Sequence, residues 1–297
     1  MSSSDSRSTA SDTLLLDAAQ AEAAWQTRVT HFGMTMRFDR PSRTLPVTLT
    51  GTGCALNCRH CGGHYLKHMH PINDLRTTGM TSCLISGGCD AAGRVPLSGH
   101  LPQIAALHQR LRLNWHVGMI DEATMRTVAP YIDVVSFDVV GDAATAEEVY
   151  GLQLDLDDYL REMAMLARHA RVVPHITIGL RAGRLSGEDR ALEAMLEQPI
   201  DALILNVLIP TPGTDYAGCA PPALEEVARL FIKARLLLPD TRLVLGCMRP
   251  HGSYRQSVDE MAVRLGLNGV VNPTQRAIRV AEALGMRIEW GEECCAL

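Results

Sequence analysis

The chain has 297 residues, of which 46% are hydrophobic, 4% aromatic and 21% charged, and its net charge is −5. That apolar share builds a sizeable core, while the absence of a basic stripe and of base-stacking aromatics argues against nucleic acid as a partner. No apolar run reaches the roughly 18 to 20 residues of a membrane span, and nine cysteines without an export signal point to a reducing cytoplasm, where thiolates stay free to bind metal.

Residues 1–12 are rich in Ser and Asp, lack an apolar signal-peptide core and read as a disordered tail. An amphipathic helix over 13–29 follows, within an N-terminal helical extension spanning 13–44. From residue 45 to the end one pattern repeats: a short β-branched run closed by Gly, Pro or a polar residue, then a helix. Strands are expected at 45–50, 83–86, 112–117, 134–139, 172–178, 202–209, 242–246 and 269–271. Helices are expected at 101–111, 157–168, 187–197, 222–237, 253–265 and 274–284. Alternating strands and helices imply parallel pairing through right-handed crossovers. Near-continuous Val, Ile and Leu runs suit strands buried on both faces. The expected fold is α/β, a (β/α)8 TIM-type barrel over 45–297 whose cysteine-containing tail begins at about 286; its rival is an open, doubly wound sheet.

Barrels of this kind place their chemistry at the C-terminal ends of the strands. The polar and glycine residues that fall there are Cys54, Gly87, Gly88, Cys89, His116, Asp138, Arg181, Asn206, Cys247 and Asn272. The densest group is Cys54-Ala55-Leu56-Asn57-Cys58-Arg59-His60-Cys61, a CxxxCxxC run directly after the first barrel strand. Three thiolates can hold three irons of a [4Fe–4S] cube and leave the fourth open to a small molecule. A structural zinc site would want four ligands, against three local cysteines with His60 and His64 nearby. A disulfide framework fits neither the length nor the missing export signal.

The CxxxCxxC run after a first strand resembles the radical S-adenosylmethionine (SAM) superfamily. That resemblance implies a barrel in which the open iron binds the amino and carboxylate groups of SAM. Ser86-Gly87-Gly88 resembles the family's glycine pair at the methionine amino group, but Cys89 stands where the family usually has Glu. His60 occupies the position of an adenine-contacting aromatic. Asn206-Val207-Leu208-Ile209-Pro210-Thr211-Pro212-Gly213-Thr214 resembles the sixth-strand edge of biotin synthase-like and lipoyl synthase-like barrels, where Leu208 would pack on adenine. By the same resemblance His116, Asp138, Arg181 and Asn206 are expected around SAM, with a buried structural role the alternative for His116 and Asp138.

The longer stretch from Cys54 to Met69, together with Gly246-Cys247-Met248-Arg249-Pro250 and Glu293-Cys294-Cys295, is similar to a subunit of the two-component lipoyl synthases. This implies insertion of sulfur into a protein-bound octanoyl chain. The partners implied are a homologous radical SAM subunit, an octanoylated lipoyl-carrier protein and an electron donor such as ferredoxin or flavodoxin. Cys89, Cys247, Cys294 and Cys295 are then expected to hold an auxiliary [4Fe–4S] cluster as sulfur source, with the tail folded back over the catalytic mouth. Two other readings stay open: a different biotin synthase-like enzyme of cofactor biosynthesis, and a non-catalytic Fe–S subunit supporting an active paralogue.

Overall fold

The computed structural model describes residues 10–297. Of the disordered segment expected over 1–12, residues 1–9 lie outside the described residues. In chain order the elements begin with α1 (Ala10–Phe32), β1 (Thr35–Asp39), β2 (Thr44–Thr48), β3 (His70–Pro71), β4 (Ser82–Ser86), α2 (Leu101–His108) and β5 (Arg112–Trp115). They continue with α3 (Glu122–Val128), β6 (Val134–Asp138), α4 (Ala143–Tyr150), α5 (Leu156–Ala167), β7 (Val172–Ile178) and α6 (Glu188–Ala194). The last are β8 (Ala202–Val207), α7 (Leu224–Leu237), β9 (Arg242–Leu245), α8 (Gly252–Arg264), β10 (Gly269–Val271), α9 (Gln275–Ala283) and β11 (Arg287–Gly291).

Among the described residues eleven strands pair in parallel, in the order β11-β1-β10-β9-β8-β7-β6-β5-β4-β2-β3. Strands β2 and β4 to β10 occupy the eight expected positions and follow one another without the order reversal of a doubly wound sheet. The pairing does not close into a ring among the described residues: β11 and β3 are its two edges. The observed architecture is therefore a curled parallel sheet with helical crossovers, and strands β1, β3 and β11 were not expected from the sequence.

Alternation along each strand sorts the side chains between two faces. Val135, Phe137, Ile176, Leu203 and Leu243 join the main core, to which the helices also contribute. Val134, Val173, Ala202, Ile204, Val244 and Val271 gather in a smaller cluster with Ala296 of the C-terminal tail. Residues from five strands meeting in one small cluster mark the inner side of the curl. Local chemistry sets the helix starts: Asp155 and Asp158 form a reciprocal capping box at α5, and the Thr274 side chain caps α9.

The tail runs to the end of the sheet opposite the one expected. Cys294 N–H donates to Thr44 Oγ1 at 2.8 Å, and Thr81 Oγ1 donates to Glu293 at 2.7 Å. Arg112 pairs with Glu293, and Arg171 donates to the Ala296 carbonyl at 2.6 Å. Thr44 and Arg112 open their strands, while Thr81 and Arg171 immediately precede theirs. Residues 293–297 thus plug the N-terminal mouth of the curl, and a tail folded over the catalytic mouth is corrected.

Candidate active site

The CxxxCxxC loop leaves the C-terminal end of β2. Asn57 takes a left-handed backbone (φ 47°), as do Gly62 and Gly63 after Cys61, so the loop turns sharply around its three cysteines. Gly88 brings the β4 end onto it. Its N–H donates to Thr50 Oγ1 at 2.6 Å, and a Cβ there would lie 1.8 Å from the Gly53 carbonyl oxygen and 2.7 Å from Cys54 Cα. The loop after β8 closes the other side through Tyr65 and Thr211, whose hydroxyls are 2.9 Å apart.

Cys54, Cys58 and Cys61 are partly exposed and none is in a disulfide. Burial pushes the Cys58 thiol up to about 12, and the neighbouring sulfurs of Cys61, Cys54 and Cys89 add to the effect. Crowded thiolates of this kind are relieved by a cationic centre that deprotonates its ligands. Among the described residues no three His, Cys, Asp or Glu side chains converge on the position of a single metal ion. Three cysteines free of disulfides within eight residues are the donor set that a cube of four irons, whose ligands spread wider than those of one ion, would take.

Beside the loop lies a cavity of about 170 Å³, lined among others by Cys58, Gly87, Cys89, His116, Asp138 and Tyr150. His116 Nε2 and Asp138 Oδ2 are 2.9 Å apart, and the His116 ring stacks on His175 with centroids 5.8 Å apart. Burial alone would raise the Asp138 carboxyl, but His116, His175 and His60 hold it down at about 2. His116 is pulled the other way: burial lowers it and Asp138 more than compensates, leaving it raised. His175 is pushed down to about 4 by burial and stays neutral.

His60 meets Tyr150 edge-on at 5.8 Å, and its Nδ1 is buried with no hydrogen-bond partner. Burial takes His60 down to about 4, so its free Nδ1 belongs to a neutral ring. Asn206 Oδ1, at the end of β8, is likewise buried without a partner. Orphaned buried polar atoms at the catalytic end are what a polar ligand such as SAM would satisfy. Leu208 is fully buried just past β8 and is not among the cavity-lining residues. Arg181 also lies outside that lining, where its Nε donates to Glu148 at 2.6 Å. Glu148 in turn accepts from Tyr216 Oη at 2.9 Å.

The four spare cysteines fall into two groups. Cys89 lines the cavity beside Cys58. Cys294 and Cys295 have sulfurs 3.9 Å apart, and Asn114 Nδ2 reaches Cys294 Sγ at 3.3 Å. Cys247 lies within electrostatic reach of Cys294, and Cys294 within reach of His116. Cys247 is densely surrounded by protein yet open to solvent, as a side chain facing an internal lumen would be. Of the four cysteines expected to share an auxiliary cluster, Cys89 lines the cavity beside the CxxxCxxC loop, and Cys294 and Cys295 lie together, with Cys247 within electrostatic reach of them.

The sequence reading missed Tyr150, Tyr159, Phe137 and His175. Tyr150 and Tyr159 sit on helices whose return to the cavity no local pattern reveals. It also missed what fixes the Cys247 segment. Arg249 is fully buried, pairs with Asp259 at 2.5 Å and donates to the carbonyls of Gly246 at 2.6 Å and Val271 at 2.8 Å.

Among solved structures, methylornithine synthase (PylB) matches at a TM-score of 0.64 with 14% identity, over 96% of this chain and 95% of that one. HydG, a maturase of the [FeFe]-hydrogenase, matches at 0.67 with 14% identity, over 92% of this chain and 68% of that one. HydG from Carboxydothermus hydrogenoformans matches at 0.65 with 13% identity, over 92% and 72%. No family model matches the chain, and no curated protein matches it. At these identities the likeness establishes the fold alone: a curled parallel α/β sheet similar to that of methylornithine synthase and HydG.

Proposed function

We propose that this chain is a radical SAM enzyme, and within that class a sulfurtransferase acting on a protein-bound octanoyl chain as one subunit of a two-component lipoyl synthase. The observation that carries the first part is the CxxxCxxC loop beside a cavity lined by Cys58, Cys89, His116 and Asp138, with His60 Nδ1 and Asn206 Oδ1 buried and unpartnered at the same end of the sheet. The second part is supported by Cys294 and Cys295, whose sulfurs lie 3.9 Å apart, with Cys247 within electrostatic reach of both, thiols that an auxiliary cluster could draw on.

When bound, the clusters and SAM would supply a carbon-centred radical and a sulfur atom. The chain's own residues do the rest. Cys54, Cys58 and Cys61 would anchor the cube, and the close fit of Gly88 against Cys54 holds that end of the loop in place. Asn206 and His60 would satisfy polar groups of SAM, and the charged His116–Asp138 pair offers both a donor and an acceptor. Phe137, Tyr150 and Tyr159 line the cavity and keep water away from reacting carbon, where placement within about 1 Å decides the rate.

The proposed setting is the cytoplasm, with a homologous subunit, an octanoylated carrier protein and a ferredoxin- or flavodoxin-like donor. No helix among the described residues is long and apolar enough to cross a membrane. The test is mass spectrometry of an octanoyl-lysyl peptide after anaerobic reaction with the reconstituted protein, SAM and dithionite. A singly thiolated product without the partner, and the doubly thiolated one with it, is expected. Release of 5′-deoxyadenosine with no thiolated peptide under either condition rejects the lipoyl assignment and leaves another radical SAM reaction. No 5′-deoxyadenosine at all favours a non-catalytic Fe–S subunit.

A further inference from the structure

Cys89 follows Gly88 directly, and Gly88 lies against Cys54 with no room for a side chain. The Cys89 carbonyl accepts from Ala55 N–H at 2.7 Å, which locks its backbone to the residue after the first cluster cysteine. Its sulfur faces the cavity: it is 3.6 Å from where a Cβ on Gly118 would stand, and Gly118, Cys89 and Cys58 line the same space. The Cys89 thiol makes no hydrogen bond among the described residues, and the three lumen cysteines do not share its surroundings. Cys58 and Cys89 thus line one cavity, and Cys54 and Cys61 lie within electrostatic reach of Cys89, a fourth thiol where the loop spacing alone supplies three.

We infer that Cys89 is a fourth thiolate ligand of the cluster, holding the iron that Cys54, Cys58 and Cys61 leave open until SAM displaces it. This rests on the radical SAM reading above. The exchange balances without any redox change. The Cys89 sulfur–iron bond breaks as the methionine amine and carboxylate of SAM bind the same iron. The proton shed by the α-ammonium group passes to the released thiolate. A cube capped by protein on all four irons resists loss of iron between turnovers, and its capping thiol competes with SAM. If the thiolate holds the iron in nine molecules of ten, the apparent affinity for SAM is about tenfold below that of the open site.

The experiment compares ⁵⁷Fe-reconstituted wild type, Cys89→Ala and Cys89→Ser, freed of added thiol, by Mössbauer spectroscopy and SAM titration. In wild type a distinct iron subsite is expected only after SAM is added. In Cys89→Ala it is expected from the start, with SAM bound about tenfold more tightly. Cys89→Ser keeps the side-chain volume and carries the test should the alanine variant fold poorly; it too is expected to show the distinct subsite without SAM. The inference is overturned if SAM-free wild type already shows that subsite and all three proteins bind SAM equally. A wild type that builds no cube instead overturns the radical SAM reading itself, and this inference with it.

Discussion

Gly88→Ala is the substitution that probes most sharply how the fold presents the cluster loop. The new Cβ would stand 1.8 Å from Gly53 O and 2.7 Å from both Cys54 Cα and Cys54 Cβ. The nearest obstacle is backbone, so no rotamer change relieves it. Restoring ordinary contact at 3.4 Å requires the β4 end and the cluster loop to part by about 1.6 Å. Overpacking of this kind costs about 1 to 3 kcal/mol, and a shift beyond about 1 Å in a reacting centre costs on the order of 100-fold in rate. The assay is urea unfolding of the apoprotein beside iron and sulfide content after reconstitution. Gly88→Ala is expected to lose stability by that amount and most of its cluster. Gly218→Ala, where nothing lies within 4 Å of the added Cβ, should change neither. A Gly88→Ala protein with wild-type stability and full iron would refute the packing argument.

Arg249→Met strands the buried carboxylate of Asp259 and frees the carbonyls that Arg249 ties together; urea unfolding should show a loss of about 3 to 5 kcal/mol, of which Arg249→Met/Asp259→Leu recovers only the part due to the stranded carboxylate, because the carbonyls stay unpaired. A loss below about 1 kcal/mol would contradict the buried-pair account. The His116–Asp138 pair has a defined pH window. Asp138, held down at about 2, contributes above the usual carboxylate value and loses its contribution as pH falls toward 2. The raised His116 contributes fully below the usual imidazole value and loses its contribution as pH climbs through its own raised value, so the pair is strongest from roughly pH 4 to 6.5. In Asp138→Asn, burial of His116 is opposed only by the smaller pull of Cys294, and NMR titration of its ring should find it lower than in the wild type. Truncation after Gly291 removes the tail's hydrogen bonds to Arg43, Thr44, Thr81, Arg112 and Arg171 and should cost about 5 kcal/mol in thermal or urea unfolding. Cys294→Ser/Cys295→Ser leaves those bonds in place and should lower iron content by one cluster with the melting temperature kept.

The eight central strands were legible because their aliphatic runs are continuous and end in glycine, proline or polar residues. Strand β1 was not, since Thr35–Asp39 carries Arg37 and Asp39, which read as surface charges but pair with each other at 2.8 Å, with Asp39 buried. Strand β11 hides its role likewise: Arg287 and Glu289 are exposed edge residues, and only the pairing with β1 reveals a strand. The CxxxCxxC loop was legible because three cysteines fall within eight residues. The division of the other cysteines was not, because it depends on which mouth the tail enters. Glu293 meeting Thr81 and Arg112 decides that, and no local pattern in the last residues announces it.

The central claim is that Cys54, Cys58 and Cys61 together hold a cube that reacts with SAM in the adjoining cavity. Its most direct test is 5′-deoxyadenosine formation by the anaerobically reconstituted protein with SAM and dithionite, beside Cys54→Ala, Cys58→Ala and Cys61→Ala. The account predicts product from the wild type and loss of it in each variant; a Cys58→Ala protein that forms 5′-deoxyadenosine at the wild-type rate would contradict it.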